Sequence, residues 1–375
     1  MHKLTFYPLG NADCCKIDTS NGKKLLFDYA HFYNSEDEDD LRADLANLLR
    51  EDLESADRDD FDIVAFTHAD DDHIHGFSDF FYLEHNKKYQ SEDRIKIREL
   101  WVPAAVIIEA GMVGEAKILR AEAQHRLKEG KGIRVFSRPE RLEDWLKDQG
   151  LTIAGRKALI TDAGQLVPGF KKSTDGVEFF VHSPFAAHVD DKGALEDRNE
   201  SALILHATFD CEGDETKFFI IGDSTHEVLS DIVNITRSHN REERLTWDIY
   251  DIPHHCSYLA LNSEKGKNKA DPVSEVKWLL EQGLYRGVLV SSSKPIPEND
   301  DDDQPPHRQA ANYYKEVAAK KSGEFKVTME HPSEAKPKPL IITIDKKAGA
   351  TIKKTTLGGG GIAVSTPAPR AGSNV

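Results

Sequence analysis

The stretch FTHADDDHIHGF, residues 66–77, follows the apolar run DIVA of residues 62–65 and holds three histidines and three aspartates within eight residues. A buried strand that ends in a loop and then a helix can direct several imidazole and carboxylate groups at one point, and these ligands suit Zn²⁺ or Mn²⁺. The pattern therefore indicates metal ligands, namely His68, Asp70, Asp72 and His73. Taken alone, it is equally compatible with a solvated acidic loop that carries incidental histidines.

Three other apolar runs also end in aspartate or histidine. LLF is followed by Asp28, FFIIG by Asp223, and DIYDIP by His254 and His255. A carboxylate at the end of a buried strand is costly unless it is paired. One such residue is usually a helix cap or a polar core residue. Four strand ends of this kind in one chain predict a shared metal site at one edge of a sheet.

Strands and helices are intermixed along the 375 residues, which favours a layered α/β fold. After the first motif, SDFFYLEH predicts the start of a helix. Residues 104–170 are mostly helical in pattern, with IRVFS as the one clear strand, so we predict a helical insertion there. The segment 351–375 is rich in glycine, proline, serine and threonine, and predicts a flexible C-terminal tail after a folded domain of residues 1–350.

The motifs, in their order, resemble the metallo-β-lactamase superfamily and, within it, the ComEC-type competence nuclease domain. That group reads GQGDA, LLIDGG, THxDxDHIGG, N..S, GD and PHHGS. This chain reads GNADC (10–14), LLFDYA (25–30), THADDDHIHG (67–76), NES (199–201), GD (222–223) and PHHCS (253–257). The aspartate at position 70, where many superfamily members have histidine, is a ComEC-like feature. The resemblance extends over about residues 4–345 and leaves 104–170 unmatched.

The resemblance implies an αββα sandwich, in which two facing mixed sheets are flanked by helices and a metal site lies at one edge. It also implies two divalent ions, Zn or Mn. Their ligands would be His68, Asp70, Asp72, His73, Asp223 and one of His254 and His255. We favour His255 as the ligand, which leaves His254 near the scissile phosphate, but the sequence leaves this pair open.

Several other residues receive supporting roles from the same resemblance. Asp72 and His254 would be catalytic, and Asp223 would bridge the two ions. Roles in orienting ligands or binding substrate fall to Asp13, Asp28, Asn199, His182, Lys265 and Lys267. His182 is either an extra ligand or a core histidine. Cys256 replaces the family glycine, and would either crowd the site or add a soft ligand.

The implied activity is that of a stand-alone nuclease, which hydrolyses DNA or RNA with a hydroxide that bridges two metal ions. The alternative is a small-molecule hydrolase on the same scaffold, acting on a cyclic nucleotide, a phosphocholine-like ester or a lactone. A third hypothesis is a non-catalytic interaction module. The formal net charge of −16 excludes a protein that coats nucleic acid with its whole surface.

Two acidic runs, EDEDD (36–40) and ENDDDDQ (298–304), would repel a polyanion if they lay near the cleft. The second run is either a solvated loop or a segment that occludes the cleft. A regulatory protein could act through it or through the insertion. Lys265, Lys267 and Lys269, just beyond the paired histidines, would attract phosphates.

The sequence also bears on where the protein acts. MHKLTFYPLG lacks the apolar core of a signal peptide, and no run approaches the roughly 18 apolar residues of a membrane span. Four cysteines, two of them adjacent, indicate reduced thiols. We therefore expect a cytoplasmic protein without a membrane partner.

Overall fold

The computed structural model describes residues 1–186, 198–301, 303–346 and 349–353. Their strands are β1 (His2–Phe6), β2 (Cys15–Asp18), β3 (Lys24–Phe27), β4 (Asp60–Ala65), β5 (Lys96–Pro103), β6 (Ile133–Phe136), β7 (Ile160–Thr161), β8 (Val177–Ser183), β9 (Ile204–Cys211), β10 (Asp214–Ile220), β11 (Trp247–Asp251), β12 (Gly283–Ser291), β13 (Glu324–Val327), β14 (Leu340–Asp345) and β15 (Gly349–Ile352).

These strands form two mixed sheets. The first has the order β15-β14-β1-β2-β3-β4-β5-β6-β7, and the second has the order β13-β12-β11-β10-β9-β8. In the first sheet, the neighbours from β3 to β7 are parallel and the neighbours from β15 to β3 are antiparallel. In the second sheet, β10 to β13 are parallel, while β8, β9 and β10 pair antiparallel.

The α-helices of the described residues are α1 (Leu45–Glu54), α2 (Asp71–Ile74), α3 (Phe77–Phe80), α4 (Ala104–Ile108), α5 (Gly114–Glu129), α6 (Glu140–Asp148), α7 (Ile153–Arg156), α8 (Lys172–Asp175), α9 (His226–Ser238), α10 (Ser274–Glu281) and α11 (Arg308–Lys320). Asp44 caps α1 by accepting from the Asn47 amide, and Gly130 ends α5 at a φ of 79°. No helix in these residues is both long and apolar enough to cross a bilayer.

Three apolar clusters fill the spaces between the layers. One lies between the two sheets and includes Phe6, Phe27, Phe179 and Phe218. A second packs α1 and α4 to α6 on the outer face of the first sheet, and a third packs α9 to α11 on the outer face of the second. Helices therefore cover both faces of a pair of sheets, which confirms the αββα sandwich predicted from the sequence.

The segment 104–170 is largely helical, as expected, and holds α4 to α7. Its strands β6 and β7 continue the first sheet by parallel pairing beyond β5. The segment is thus part of the sandwich and widens one sheet. In the predicted tail, Thr351 and Ile352 belong to β15, and residues 354–375 lie outside the described part of the chain.

Candidate metal centre

The carboxyl ends of parallel strands from both sheets meet at one edge of the sandwich. Asp28 follows β3, the His68–His73 segment follows β4, Asp223 follows β10, and His255 follows β11. The amide of Asp28 donates to the Ala65 carbonyl at 2.8 Å, so the ends of β3 and β4 stay together. Parallel pairing places the ends of adjacent strands side by side, which explains why residues distant in sequence share one site.

Four side chains form the centre of this site: Asp13, His73, Asp223 and His255. Nε2 of His73 lies 3.3 Å from an Asp223 oxygen and 3.5 Å from an Asp13 oxygen. Nε2 of His255 lies 3.6 Å from the other Asp223 oxygen. Two imidazoles and two carboxylates therefore face one small volume from four separate loops.

A second group, His68, Asp72 and His73, adjoins the first. An oxygen of Asp72 lies 3.0 Å from Nε2 of His255, and the other lies 4.0 Å from Nε2 of His73. The Asp72 carbonyl accepts from the Asp13 amide at 3.1 Å, which fixes the two loops against each other. The His68–His73 segment thus contributes to both groups, as its density of ligands indicated.

Asp28 orients two of the histidines. One of its oxygens lies 2.8 Å from Nδ1 of His73, and the same oxygen accepts from the Thr67 hydroxyl at 2.7 Å. Because the Thr67 hydroxyl donates to Asp28, it accepts from Nδ1 of His68 at 3.1 Å. Each Nδ1 then carries a proton, and each Nε2 is directed at the site, as for a metal-bound histidine with a carboxylate behind it.

The turn that carries His254, His255 and Cys256 is strained. All three have positive φ, at 52°, 50° and 66°, a region that non-glycine residues adopt at a cost of about 1–3 kcal/mol each. The strain directs Nδ1 of His255 to donate to the Ser292 carbonyl at 2.8 Å, so its Nε2 faces Asp72 and Asp223. Backbone strain of this kind is typical of functional sites.

The two histidines of this turn differ in exposure. The side chain of His255 is 2% exposed and belongs to the central group, whereas that of His254 is 22% exposed. Nε2 of His254 still lies 3.8 Å from an Asp223 oxygen. His255 is placed as a ligand, and His254 lies between the centre and solvent. Cys256 is buried in the apolar cluster beneath α9 to α11, away from the ligand groups.

The charges of the centre are strongly coupled. Burial alone would lower the pKa of His73, but the carboxylates of Asp28 and Asp223 raise it well above its usual value. Burial also opposes the charge of His255, and Asp223 and Asp72 nevertheless raise its pKa to about 10. Burial raises the pKa of Asp13 despite the two histidines. The two ligand groups hold three carboxylates and three imidazoles, and Asp28 behind them adds a fourth carboxylate, so the site attracts cations.

The donor set fits divalent ions. Nε2 of His68, Nε2 of His73 and Oδ1 of Asp223 are buried, and none has a hydrogen-bond partner among the described residues. Buried polar atoms without a partner are rare, and a bound ion is one explanation. Imidazole nitrogen and carboxylate oxygen are ligands of Zn²⁺ and Mn²⁺. The two ligand groups meet at His73, whose one free ring nitrogen, Nε2, can bind a single ion.

Some predicted residues lie apart from the centre. Nε2 of His182 donates to the Arg244 carbonyl at 3.0 Å, and its ring stacks on Phe219 at 5.0 Å, so the predicted ligand or supporting role is not supported. His182 lies at a β-bulge of β8 and packs on Phe219 of the outer cluster, beside α9. His75 bonds Asp71 and stacks on Phe32, on the surface.

Asp70 and the lysines are also placed differently from the expectation. Asp70 lies 3.5 Å from Nε2 of His68 but is outside both ligand groups, and Arg198 binds its other oxygen. Lys269 pairs with Glu316, Lys267 is exposed, and Lys265 is half-buried. Asn199 is buried in the short 3₁₀ helix Arg198–Ser201, next to Arg198.

The sequence reasoning missed three features. Asp13 belongs to the central group, where we expected a supporting role. Asp251, the last residue of β11, is buried, and its burial together with Asp13 and Asp28 raises its pKa well above the usual range. Arg198 with its partner Glu109 was not considered. Asp251 carried the same signal as Asp28, an aspartate that ends a buried strand.

No family model matches the chain, and no curated protein sequence matches it. Similar solved structures include the metallo-β-lactamase fold protein YhfI from Bacillus subtilis (11% identity, 91% of this chain and 98% of that one, TM-score 0.37). They also include unliganded yeast PDE1 (10%, 87% and 97%, TM-score 0.44) and a diphosphatase from the PhnP family (10%, 92% and 98%, TM-score 0.32). Identities of this size leave substrate and activity open, and the ComEC-type resemblance stays a prediction from the motifs.

Proposed function

We propose that the protein is a metal-dependent phosphodiesterase, and that it acts as a nuclease on DNA or RNA. The observation that carries the proposal is the environment of His73. Its Nδ1 is held by Asp28 at 2.8 Å, and its Nε2 faces Asp223 at 3.3 Å and Asp13 at 3.5 Å. A buried imidazole between three carboxylates is an arrangement that a resident cation stabilises.

Asp13, His73, Asp223 and His255 would hold one ion, and His68, Asp70 and Asp72 would hold a second. Divalent ions at such positions activate water and neutralise charge on a phosphoryl oxygen. Other groups of the protein hold the histidine rings in place. Asp28 and Thr67 fix the histidine rings, and Ser292 fixes that of His255. This fixed geometry costs no reorganisation when substrate binds.

Two residues lie between the centre and solvent and can move protons. The Asp72 side chain is 34% exposed, and its Oδ2 lies within 3.0 Å of His255. It would accept the proton of the attacking water. His254, 22% exposed, would donate a proton from Nε2 to the leaving oxygen. Both side chains reach the opening, where the scissile bond would lie, whereas His73 is fully buried.

Cations near the opening favour an anionic substrate. Lys294 is exposed, and its backbone amide donates to Asn11, two residues from Asp13, at 3.0 Å. It follows Ser292, whose carbonyl holds His255. Lys265 lies close enough to His307 to lower the pKa of that histidine, after the larger effect of burial. These lysines could contact the phosphates that flank a scissile bond.

A second candidate function, hydrolysis of a small phosphodiester, is favoured by the segment 294–307, which we name the acidic strap. Asn11 donates to the Pro305 carbonyl at 2.5 Å, and the His307 amide donates to the Cys256 carbonyl at 3.0 Å. These bonds hold the strap beside the paired histidines. Except for Asp302, which lies outside the described residues, its carboxylates lie on the surface and would repel a long polyanion more than a compact one.

The test is cleavage of labelled single- and double-stranded DNA and RNA with Mn²⁺, Zn²⁺, Mg²⁺ or EDTA. We expect metal-dependent cleavage that is lost in the Asp72→Ala/His73→Ala double variant. Asp71→Ala is the matched control, because the Asp71 side chain is 68% exposed and, among the described residues, forms an ion pair with His75 on the surface of the loop. Competition by bis-p-nitrophenyl phosphate separates the two candidates. Strong competition with no polymer cleavage would replace the nuclease by the small-substrate enzyme.

A further inference from the structure

Arg198 joins the metal centre to the segment that widens the first sheet. Its Nε and Nη2 donate to both oxygens of Glu109, at 2.8–3.0 Å. Its Nη1 donates to Oδ1 of Asp70 at 2.6 Å and to the Ala69 carbonyl at 3.0 Å. One guanidinium therefore binds two carboxylates that come from different parts of the chain.

The position of the guanidinium is fixed by Glu109, the residue that follows α4. The Glu109 side chain is 6% exposed, and the two-pronged pairing with Arg198 satisfies both of its oxygens. Breaking a buried ion pair leaves an uncompensated charge, so Arg198 cannot turn away from Glu109 without a large penalty. The planar fork also restricts where its remaining nitrogen points. That nitrogen points at Asp70.

Asp70 is thereby divided between two partners. Oδ1 accepts from Arg198, and Oδ2 lies 3.5 Å from Nε2 of His68. Only Oδ2 is available to an ion beside His68, and its negative charge is partly compensated by the guanidinium. The central group has no such competitor among the described residues: the ion-pair neighbours of Asp223 there are three histidines, His73, His254 and His255.

We propose that Arg198 is a positioning residue that makes the two metal positions unequal. The position formed by Asp13, His73, Asp223 and His255 is the tight one, and the position beside His68 and Asp70 is the weak one. The inference rests on the proposed function, because it requires two ions. The positive charge of Arg198 repels a cation at the weak position, and its hydrogen bond leaves Asp70 one oxygen to offer.

The test is calorimetric titration of metal-free protein with Mn²⁺. For the wild type we expect two dissociation constants. The Glu109→Met/Arg198→Met double variant removes the ion pair without changing the net charge. In this variant the larger dissociation constant, that of the weak position, should fall about tenfold or more. The smaller dissociation constant, that of the tight position, should stay within about threefold of the wild type. Glu109→Gln, which leaves the positive charge of Arg198 unbalanced, should raise the larger constant. Arg198→Lys keeps the charge but not the fork that binds Glu109 and Asp70 together, so its larger constant should lie between those of the wild type and the double variant.

A matched pair elsewhere controls for loss of stability. Glu178 and Arg244 pair at 2.8 Å on the second sheet, with side chains 11% and 22% exposed, close to the 6% and 24% of Glu109 and Arg198. Glu178→Met/Arg244→Met should leave both constants unchanged. If Glu109→Met/Arg198→Met does not fold, Glu109→Gln tests the same inference, because it should raise the dissociation constant of the weak position instead of lowering it.

The outcomes separate this inference from the proposed function. An unchanged or larger weak-site constant in Glu109→Met/Arg198→Met, or an equal shift in the control pair, overturns the role of Arg198. Two ions of equal affinity in the wild type overturn it as well and leave the phosphodiesterase proposal standing. No bound Mn²⁺ in the wild type overturns both.

Discussion

Two groups of buried histidines in this protein behave in opposite ways. His73 and His255 lie at the edge of the sandwich among carboxylates, which raise the pKa of His73 well above its usual value and that of His255 to about 10, against the effect of burial. His182 and His206 lie on the second sheet, where burial lowers the pKa of His182 to about 4 and that of His206 to about 3.

The two groups of histidines differ in whether neutral carbonyls or charged carboxylates contact the imidazole rings. His182 and His206 donate from Nε2 to the carbonyls of Arg244 and Thr246, at 3.0 and 2.8 Å, and lie against Phe219. These carbonyl partners carry no charge, so burial lowers the pKa of both imidazoles. Around His73, Asp28 and Asp223 require a positive charge, which a proton or a metal ion can supply. Burial alone therefore does not identify a site.

The largest effect should come from exchanging one histidine in each group for glutamine. His73→Gln should reduce cleavage at least about 10³-fold, because it removes the ligand shared by both groups. His182→Gln should leave cleavage within about threefold and lower the melting temperature, because it disturbs packing against Phe219. Rates and melting curves of both variants check this. An equal loss of activity in His73→Gln and His182→Gln would show that the two groups of histidines do not differ in function.

A smaller effect is expected from the residue behind the histidines. Asp28→Asn keeps the size of the side chain but removes the charge that orients His73 and, through Thr67, His68. We expect metal affinity to fall about 10–100-fold, the usual range for partners of metal-bound histidines. Calorimetry with Mn²⁺ measures it. Asp62→Asn, which loses only contacts to Lys24, Arg58 and Arg98 at the opposite end of β4, is the control.

The two groups should also respond to pH over different ranges, the first above pH 6.5 and the second below it. His255 holds a proton up to its pKa of about 10, and an ion must displace that proton, so metal affinity should rise about tenfold per pH unit from 6.5 to 9. A flat affinity profile measured across this range would contradict the raised pKa.

The second group acts on stability at acid pH. The pKa of His182 falls from 6.5 in the unfolded chain to about 4 in the fold, so the unfolded chain binds more protons below pH 6.5. The stability that this histidine contributes is present above pH 6.5 and is lost as the pH falls to about 4, by about 3 kcal/mol. Urea unfolding of wild type and His182→Gln across this range checks the sign. The variant should lose less stability.

The smallest effect concerns the acidic strap. Deletion of residues 298–303 removes carboxylates held beside the paired histidines by Asn11 and Cys256. We expect DNA cleavage to rise about threefold to tenfold at low salt and less at high salt, because screening weakens the repulsion. Hydrolysis of bis-p-nitrophenyl phosphate should change less. A rate on DNA that does not change would show that the strap does not restrict access.

Much of the site was predictable, because its residues end apolar runs. Asp28, His73 and Asp223 could be selected from the sequence alone, together with the pair that contains His255, and the structure brings them together. The choice between the two histidines of the PHHCS motif required the positive φ values of the turn, which no sequence pattern reports. From the sequence, Asp13 was expected only to support the centre, because its loop joins two antiparallel strands and carries no strand-end signal.

Other features depend on contacts between distant residues. SDFFYLEH predicts a helix, but α3 ends at Phe80 because Phe81 pairs with Ile95 beside the first sheet. His182 has the same strand context as the ligands, and only its contacts, with Phe219 and beside α9, show that it lies apart from the centre. The pairing of Arg198 with Glu109 joins residues 89 positions apart and leaves no local trace.

The central claim is that carboxylates around His73 make this edge of the sandwich a metal centre. Its most direct test is to count bound Mn²⁺ or Zn²⁺ per chain by elemental analysis after equilibrium dialysis, for wild type, His73→Gln and His182→Gln. The account predicts two ions in the wild type and in His182→Gln, and at most one in His73→Gln. A wild type without bound metal, or a His73→Gln variant that keeps both ions, would contradict it.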